Sequence, residues 1–495
     1  MTFRPSAVAA LVAALVLGLA ACSQGSADPP RRPAAEGGPA VARLLADADR
    51  AMADGALGEA ARKLDEARSL APQSPDLWLA IARLRLRGGE HLAALEAADR
   101  ALALGPDHAP ALLLRALMVR DAHGAADALV WFEAARRADP DHPDILAEQA
   151  ATLGDNGAAG EMLATVLRLA EVAPDDPRVP YFQAVLAARA QEYAIARSLL
   201  SKSGMAARGV PAAMLLDGVV SLAQGNADSA AATFESLAAR QPANARVREL
   251  LVRALLDGGR EDELVRRFGR EAGMPEASPY LVMLVARAHE RLGNRKAAAP
   301  LLARSYGPPK AAPVLLGLRD AMPEPTTDLR RALWAGNARD ARAQAAALRA
   351  RFPASADVAA LAGDAALGTG DPRAALTAYA LASEARRPWP ITRKAAWTFS
   401  RHGNPVAGDL LLTRQVAGEP QTASALMVLA ERLAVRGDWR RTALLLDHAL
   451  ALGAGHDPAL LALRARAARE EGNTQEAERF AALLADVRPR ALKES

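Results

Sequence analysis

The 495-residue sequence holds one cysteine, Cys22, so no intramolecular disulfide can form, and packing must supply its stability. Aromatic residues amount to 4% of the chain. With β-branched residues also sparse, a large sheet is excluded, because strands use those side chains to fill a pleated surface. Lysine is scarce as well, at six of 61 basic residues, and charge of one sign is nowhere concentrated: 61 basic against 57 acidic residues leave a formal net charge of +4. A one-sided basic patch, on which nucleic-acid binding depends, is therefore missing. No P-loop, HExxH, GxSxG, GxGxxG or paired-cysteine zinc motif occurs, so no catalytic, metal-binding or cofactor-binding residue is assigned and the chain is not expected to be an enzyme. The eight histidines are scattered; His108, His142 and His456 lie beside Pro or Asp and read as solvated turn residues.

What the sequence does contain is 51% hydrophobic residues and a heavy bias towards Ala, Leu and Arg, the residues that lose least on entering a helix. The arginine excess has two readings: codon usage in a GC-rich genome, or selection for planar recognition of anions.

At the amino terminus Arg4 precedes small and apolar residues from Ala7 to Ala21. That run is shorter than the roughly 20 residues needed to span a bilayer, so residues 1–21 are expected to be a signal segment that is removed. Leu19-Ala20-Ala21-Cys22 resembles the lipobox of bacterial lipoproteins. The resemblance implies that the Cys22 thiol takes a diacylglyceryl group and becomes the new amino terminus, and that Ser23 after it directs the protein to the outer membrane, facing the periplasm. Several acyl chains at about 0.8 kcal/mol per buried methylene would anchor it to the membrane without spanning it. Residues 22–40, rich in Pro, Gly and small polar residues, form the expected tether.

Beyond the tether the chain repeats. Pro72, Pro106, Pro140 and Pro174 are spaced by 34 residues each, and Pro242 lies 68 beyond Pro174. Other positions follow in register: Trp78, Ala82, Gly89, Ala94, Ala98 and Ala101 before Pro106; Gly218, Gly225, Ala230 and Phe234 before Pro242. Small residues where two helices cross, with a larger Phe or Leu beside them, are what close antiparallel packing needs. A 34-residue period of helix, turn and helix stopped by proline resembles the tetratricopeptide repeat family. The resemblance runs from about Val41 to Pro489 and implies an all-α solenoid, a right-handed superhelix of about thirteen hairpin units. The unit from Pro177 to Val210 lacks its closing proline, and several units lack the family's aromatics.

From Pro242 to Pro353 is 111 residues, three periods plus nine, and the slip coincides with Tyr306-Gly307-Pro308-Pro309 and with Met322 to Thr327. The expected organisation is a first solenoid segment at 41–304, an irregular stretch at 305–330 and a second segment at 331–491. The stretch is read either as a break between two solenoids or as a longer loop within one.

In this family the first helix of each unit lines the inner surface of the superhelix, and its outward positions contact ligands. Projected here, they carry Arg83, Arg87, Arg253, Arg287, Arg291, Arg432 and Arg436, with Arg466 and Arg469 in the last unit. A basic groove of this kind would take an acidic peptide or an acidic polysaccharide through bidentate guanidinium contacts. The competing reading is internal pairing: Glu249, Asp257 and Glu290 stand close enough to neutralise several of these arginines. The expected function is a scaffold that docks proteins in a cell-envelope assembly. It resembles the repeat lipoproteins of exopolysaccharide export machines; a pilus or secretin assembly lipoprotein is the alternative, though those are shorter, with about six units. A peptidoglycan-cleaving α-solenoid enzyme is the third reading, disfavoured because the repeats leave no room here for a lysozyme-like domain.

Overall fold

Proline spacing translates into helices. The computed structural model describes residues 38–242, 244–274, 277–305 and 324–487. They fold into helical hairpins, and no strand occurs among the described residues. The first four hairpins are α1 (Gly38–Ala53) with α2 (Leu57–Leu70), α3 (Pro75–Arg87) with α4 (His91–Leu104), α5 (Ala109–His123) with α6 (Ala125–Ala138), and α7 (Pro143–Asp155) with α8 (Ala159–Val172). The next four are α9 (Arg178–Arg189) with α10 (Tyr193–Ser203), α11 (Pro211–Ala223) with α12 (Ala227–Arg240), α13 (Ala245–Asp257) with α14 (Glu261–Gly273), and α15 (Pro279–Arg291) with α16 (Arg295–Ser305). After a 3-10 turn at Glu324–Thr326 come α17 (Thr327–Trp334) with α18 (Ala338–Arg351), α19 (Ala356–Gly368) with α20 (Pro372–Ala385), and α21 (Trp389–Arg401) with α22 (Pro405–Gly418). The last two pairs are α23 (Ala423–Val435) with α24 (Trp439–Ala451), and α25 (Pro458–Glu470) with α26 (Thr474–Val487). The fold is an all-α solenoid.

Second helices stop where the sequence says they must. α2, α4, α6, α8 and α12 each end two residues before Pro72, Pro106, Pro140, Pro174 and Pro242, since the ring removes a donor and clashes with the preceding turn. The unit without a closing proline uses glycine: α10 ends at Ser203 and Gly204 turns into the left-handed region at φ 62°, which costs a residue without Cβ little. About half of the first helices are started by side-chain caps. Ser74, Ser278 and Ser355 accept from the amides of Leu77, Leu281 and Val358, and Pro75 and Pro279 occupy first-turn positions.

Two of the histidines read as solvated turn residues turn out to be caps as well. His108 Nδ1 accepts from the Ala111 amide at 3.2 Å, and His142 Nδ1 accepts from the Asp144 amide at 3.2 Å. An imidazole lone pair replaces the usual hydroxyl or carboxylate at these helix starts. His456 falls in a 3-10 turn, Ala454–His456.

The hairpins close on small residues. A Cβ at Gly218 would lie 2.4 Å from Phe234 Cε1, and one at Gly363 would lie 2.5 Å from Tyr379 Cε1, so each glycine makes the space its aromatic partner fills. Successive first helices touch one another, α1 on α3, α3 on α5, α9 on α11, α13 on α15 and α23 on α25, while second helices other than α16 and the last pack on the first helix that follows them. First helices therefore crowd the inner side of the curve.

Several sequence expectations fall outside the described residues: the signal segment, Cys22 and the tether as far as residue 37, residues 306–323 of the irregular stretch, and Pro489. α1 begins at Gly38, three residues before the expected start of the solenoid, and the eight-residue α17 begins at Thr327, inside the stretch expected to be irregular. The later hairpins return to the earlier ones. α20 lies against α4 and α5, α22 lies against α6, and Arg287 Nη2 donates to the Val487 carbonyl at 2.6 Å.

The concave face as candidate functional site

Helix starts fix which residues point inward. With Ser74 as N-cap of α3, Arg83 and Arg87 take the ninth and thirteenth positions of the helix; Arg253 takes the ninth of α13, and Arg287 and Arg291 the ninth and thirteenth of α15. Arg432 and Arg436 do not share this register. α23 is preceded by Thr422, which puts Glu431 and Val435 at the inner positions and turns Arg432 and Arg436 one place round, towards α22. The sequence projection was off by one residue there because unit lengths vary after the nine-residue slip.

The arginines that were candidates for a basic groove mostly have partners inside the protein. Arg432 Nε donates to Asp409 Oδ1 at 2.8 Å, and Arg436 pairs with Asp409 Oδ2. Arg253 pairs with Asp257 at 3.4 Å, and Arg287 reaches Glu290 at 3.9 Å in addition to the Val487 carbonyl. In the last unit Arg466 pairs with Glu470 at 3.7 Å and stacks over Trp439 at 5.0 Å, while Arg469 Nε donates to the Ala465 carbonyl at 3.4 Å. Arg83 is exposed; His108, and after it Arg83, hold the Asp76 carboxyl below its ordinary range.

A subset repeats. Arg87 Nη1 donates to the Met52 carbonyl at 2.5 Å, Arg189 Nη1 to the Gly154 carbonyl at 2.9 Å, and Arg291 Nη1 to the Leu256 carbonyl at 2.6 Å. Each reaches back 35 residues, to the last turn of the preceding first helix. Residues 87, 189 and 291 are themselves 102 apart, three periods of 34. The guanidinium adds a second donor to a carbonyl that already accepts from the turn glycine three residues on, Gly55, Gly157 or Gly259, and places positive charge at the negative end of a helix dipole. These arginines staple one unit to the next.

Along the rest of the inner face the chemistry changes from unit to unit. Asp144 and Arg178, at equivalent places in successive units, pair at 2.8 Å. α9 and α11 then offer Tyr181, Val185, Leu215 and Val219, an apolar stretch with Val219 37% exposed. Across α13 and α15, Glu249 accepts from Ser278 Oγ at 2.5 Å, beside Tyr280. Burial pushes the Glu249, Glu431 and Asp457 carboxyls above their ordinary range, and the charge of Asp457 adds to the effect on the other two. On α21, Trp397 carries Arg401 over its ring at 5.4 Å. A cavity of about 500 Å³ opens between α17 and α18, beside Asp328, Arg331, Asn337 and Gln344. No group of three or more His, Cys, Asp or Glu side chains is placed to hold a metal ion among the described residues, and no described helix is long and apolar enough to cross a membrane.

Sequence reasoning missed one cluster altogether. Asp364 occupies the ninth position of α19 but turns into the core, where Lys394 Nζ meets it at 2.6 and 2.7 Å and Tyr379 OH donates to it at 2.7 Å. All three residues are at most 3% exposed. The signal was there: Lys394, one of six lysines, stands at the sixth position of its helix, where α3, α5, α13, α15 and α19 carry Ala80, Leu114, Leu250, Leu284 and Leu361.

No protein-family model matches the sequence, and no curated protein matches it. Among solved structures, the chain is similar to pilF of Pseudomonas aeruginosa at 18% identity, covering 42% of this chain and 96% of that one with a TM-score of 0.36. PilW, a type IV pilus biogenesis factor, matches at 18% identity over 46% of this chain and 91% of its own, with a TM-score of 0.31. The tetratricopeptide domain of P58(IPK) matches at 13% identity over 91% of this chain and 99% of its own, with a TM-score of 0.26. The fold class rests on the hairpins themselves, which make this an all-α solenoid of helix-turn-helix units.

Proposed function

We propose that this protein is a tetratricopeptide-type scaffold that binds extended segments of other proteins along its inner face, held at the outer membrane by a lipid on Cys22 and facing the periplasm. One observation carries the binding reading: first helices crowd the concave side and present a run of inner positions whose chemistry changes from unit to unit, apolar on α9 and α11, charged on α13 and α15. A surface that varies along its length reads a sequence of side chains. A uniform acidic polymer would instead need a row of free guanidinium forks, and most candidate arginines here are paired internally.

The assembly served is proposed to be an exopolysaccharide export machine. Support comes from the lipobox-like Leu19-Ala20-Ala21-Cys22 and from an array of hairpins about twice as long as that of pilus assembly lipoproteins. Affinity capture of the native protein from crosslinked cells tests this, with Cys22→Ser as the localisation control. Recovery of export-machine proteins with the native form and their loss with Cys22→Ser is expected; recovery of pilus or secretin components would reassign the assembly.

A further inference from the structure

The solenoid touches itself at a distance of about one superhelical turn, and the touching residues depart from the repeat. The Leu92 amide donates to the Ala354 carbonyl at 3.0 Å, and the Ala356 amide donates to His91 Nδ1 at 3.2 Å, 265 residues away in sequence. The Arg387 amide donates to the Asp121 carbonyl at 3.0 Å, and Arg387 Nη2 to the His123 carbonyl at 3.3 Å, 264 residues away. Each of these four bonds joins the neighbourhood of a turn within a unit, at His91 or His123-Gly124, to a turn between units, at Ala354 or Arg387. Those two kinds of turn lie on opposite edges of the solenoid ribbon, so one edge of an early turn meets the opposite edge of a later one.

Three irregularities coincide at this seam. Other hairpins connect their helices through three residues, such as Gly88-Gly89-Glu90, whereas α5 and α6 are joined by Gly124 alone, at φ 97° and ψ 178°. α22 ends on Gly418, where a Cβ would lie 2.2 Å from the His123 carbonyl oxygen, and a Cβ on Gly124 would lie 2.5 Å from the Gly418 carbonyl oxygen. Arg387 is 8% exposed. Bare backbone meets bare backbone here, as a seam demands and a free edge does not.

The hydrogen bonds also serve a need. Leu92 and Ala356 stand in the first turns of α4 and α19, where an amide has no intrahelical carbonyl, and Arg387 stands between helices. Their N–H groups are satisfied only across the seam. We propose that the within-unit turns at His91 and Gly124 and the between-unit turns at Ala354, Arg387 and Gly418 form a lock that holds the superhelix wound into a closed turn, making the inner face a walled lumen. A bound segment must then thread along the axis, or the lock must open to admit it. The lock stands on the hydrogen bonds and close backbone approach across the seam and does not depend on what the solenoid binds.

Hydrogen exchange read by mass spectrometry on the full-length chain tests this. In the native protein the amides of Leu92, Ala356 and Arg387 are expected to exchange at least tenfold more slowly than in an unstructured peptide. Gly418→Ala, which should favour α22 if the seam were absent, is expected to remove that protection at all three while far-ultraviolet circular dichroism stays unchanged. A Leu92→Cys/Ala354→Cys pair in a Cys22→Ser background is expected to form its disulfide under mild oxidation. Unprotected amides in the native chain, protection untouched by Gly418→Ala, or failure of the cysteine pair to close would each overturn the lock. Should Gly418→Ala lose helicity, the cysteine pair decides alone.

Discussion

Lys394 and Asp364 form a buried ion pair between consecutive first helices, with the ammonium 2.6 and 2.7 Å from the two carboxylate oxygens and both residues at most 3% exposed. Burial pushes the Lys394 ammonium down, and Asp364 opposes that shift. Tyr379 donates to the same carboxylate. Removing one partner leaves the other charged in the core, which costs far more than removing both. Lys394→Met should destabilise the units around α19 to α21 by about 3–5 kcal/mol, and Lys394→Met with Asp364→Leu by less than half of that. Chemical denaturation with local exchange readout at α20 and α21 separates the two; equal losses would contradict the pairing.

The hairpin crossing makes an opposite-sign prediction for glycine. In an ordinary helix interior Gly→Ala stabilises by about 1 kcal/mol. At Gly218 the new methyl would meet Phe234 at 2.4 Å, so Gly218→Ala should instead destabilise by about 1–3 kcal/mol. Phe234→Leu in the same chain should recover part of the loss, because the smaller side chain frees the crossing. Thermal denaturation of the three variants measures it.

Acid should weaken the contact between early and late turns. His91 is 8% exposed and uses Nδ1 as an acceptor, and burial, its largest influence, lowers its pKa. Asp357 and Asp121 favour the proton, and Arg386 opposes it. His123 is lowered too, first by burial and then by Arg387, against Asp127. The unfolded chain therefore takes up protons near pH 6.5 while the folded chain resists, so stability is full above that range and falls as pH drops through it. Unfolding temperature should decline between about pH 7.5 and 5.5, and His91→Gln should flatten part of that decline. A pH-independent native protein would contradict the buried neutral imidazole.

The stapling arginines should matter by position, not by charge. Arg189→Met removes the bond to the Gly154 carbonyl and should raise exchange in the last turn of α7. Since the side chain is exposed, the expected cost is only a few tenths to about 1 kcal/mol. Arg349→Met, in an exposed last turn, should leave α7 unaffected.

Much of the fold was legible because proline and small-residue spacing report local geometry. Pro72 to Pro242 marked where second helices end, and Gly218 with Phe234 marked a crossing. All of the candidate arginines but Arg436, which follows the end of α23, lie in first helices, yet a helical projection says which way a side chain points and nothing about what it meets. Arg291 was read as facing a ligand and is bonded to the Leu256 carbonyl of the preceding unit. Contacts such as His91 with Ala356 were beyond reach, because they depend on the accumulated rotation of many units, and no periodicity encodes that sum.

Site-specific photo-crosslinking in living cells shows whether proteins bind along the inner face. A photoreactive residue would replace Arg83, Val219 or Arg253 on the inner side, and Val130, Leu167 or Leu444 on the exposed outer side. Adducts to discrete envelope proteins are expected from the inner positions and none from the outer ones. Adducts confined to Val130, Leu167 and Leu444, with the inner positions silent, would contradict it.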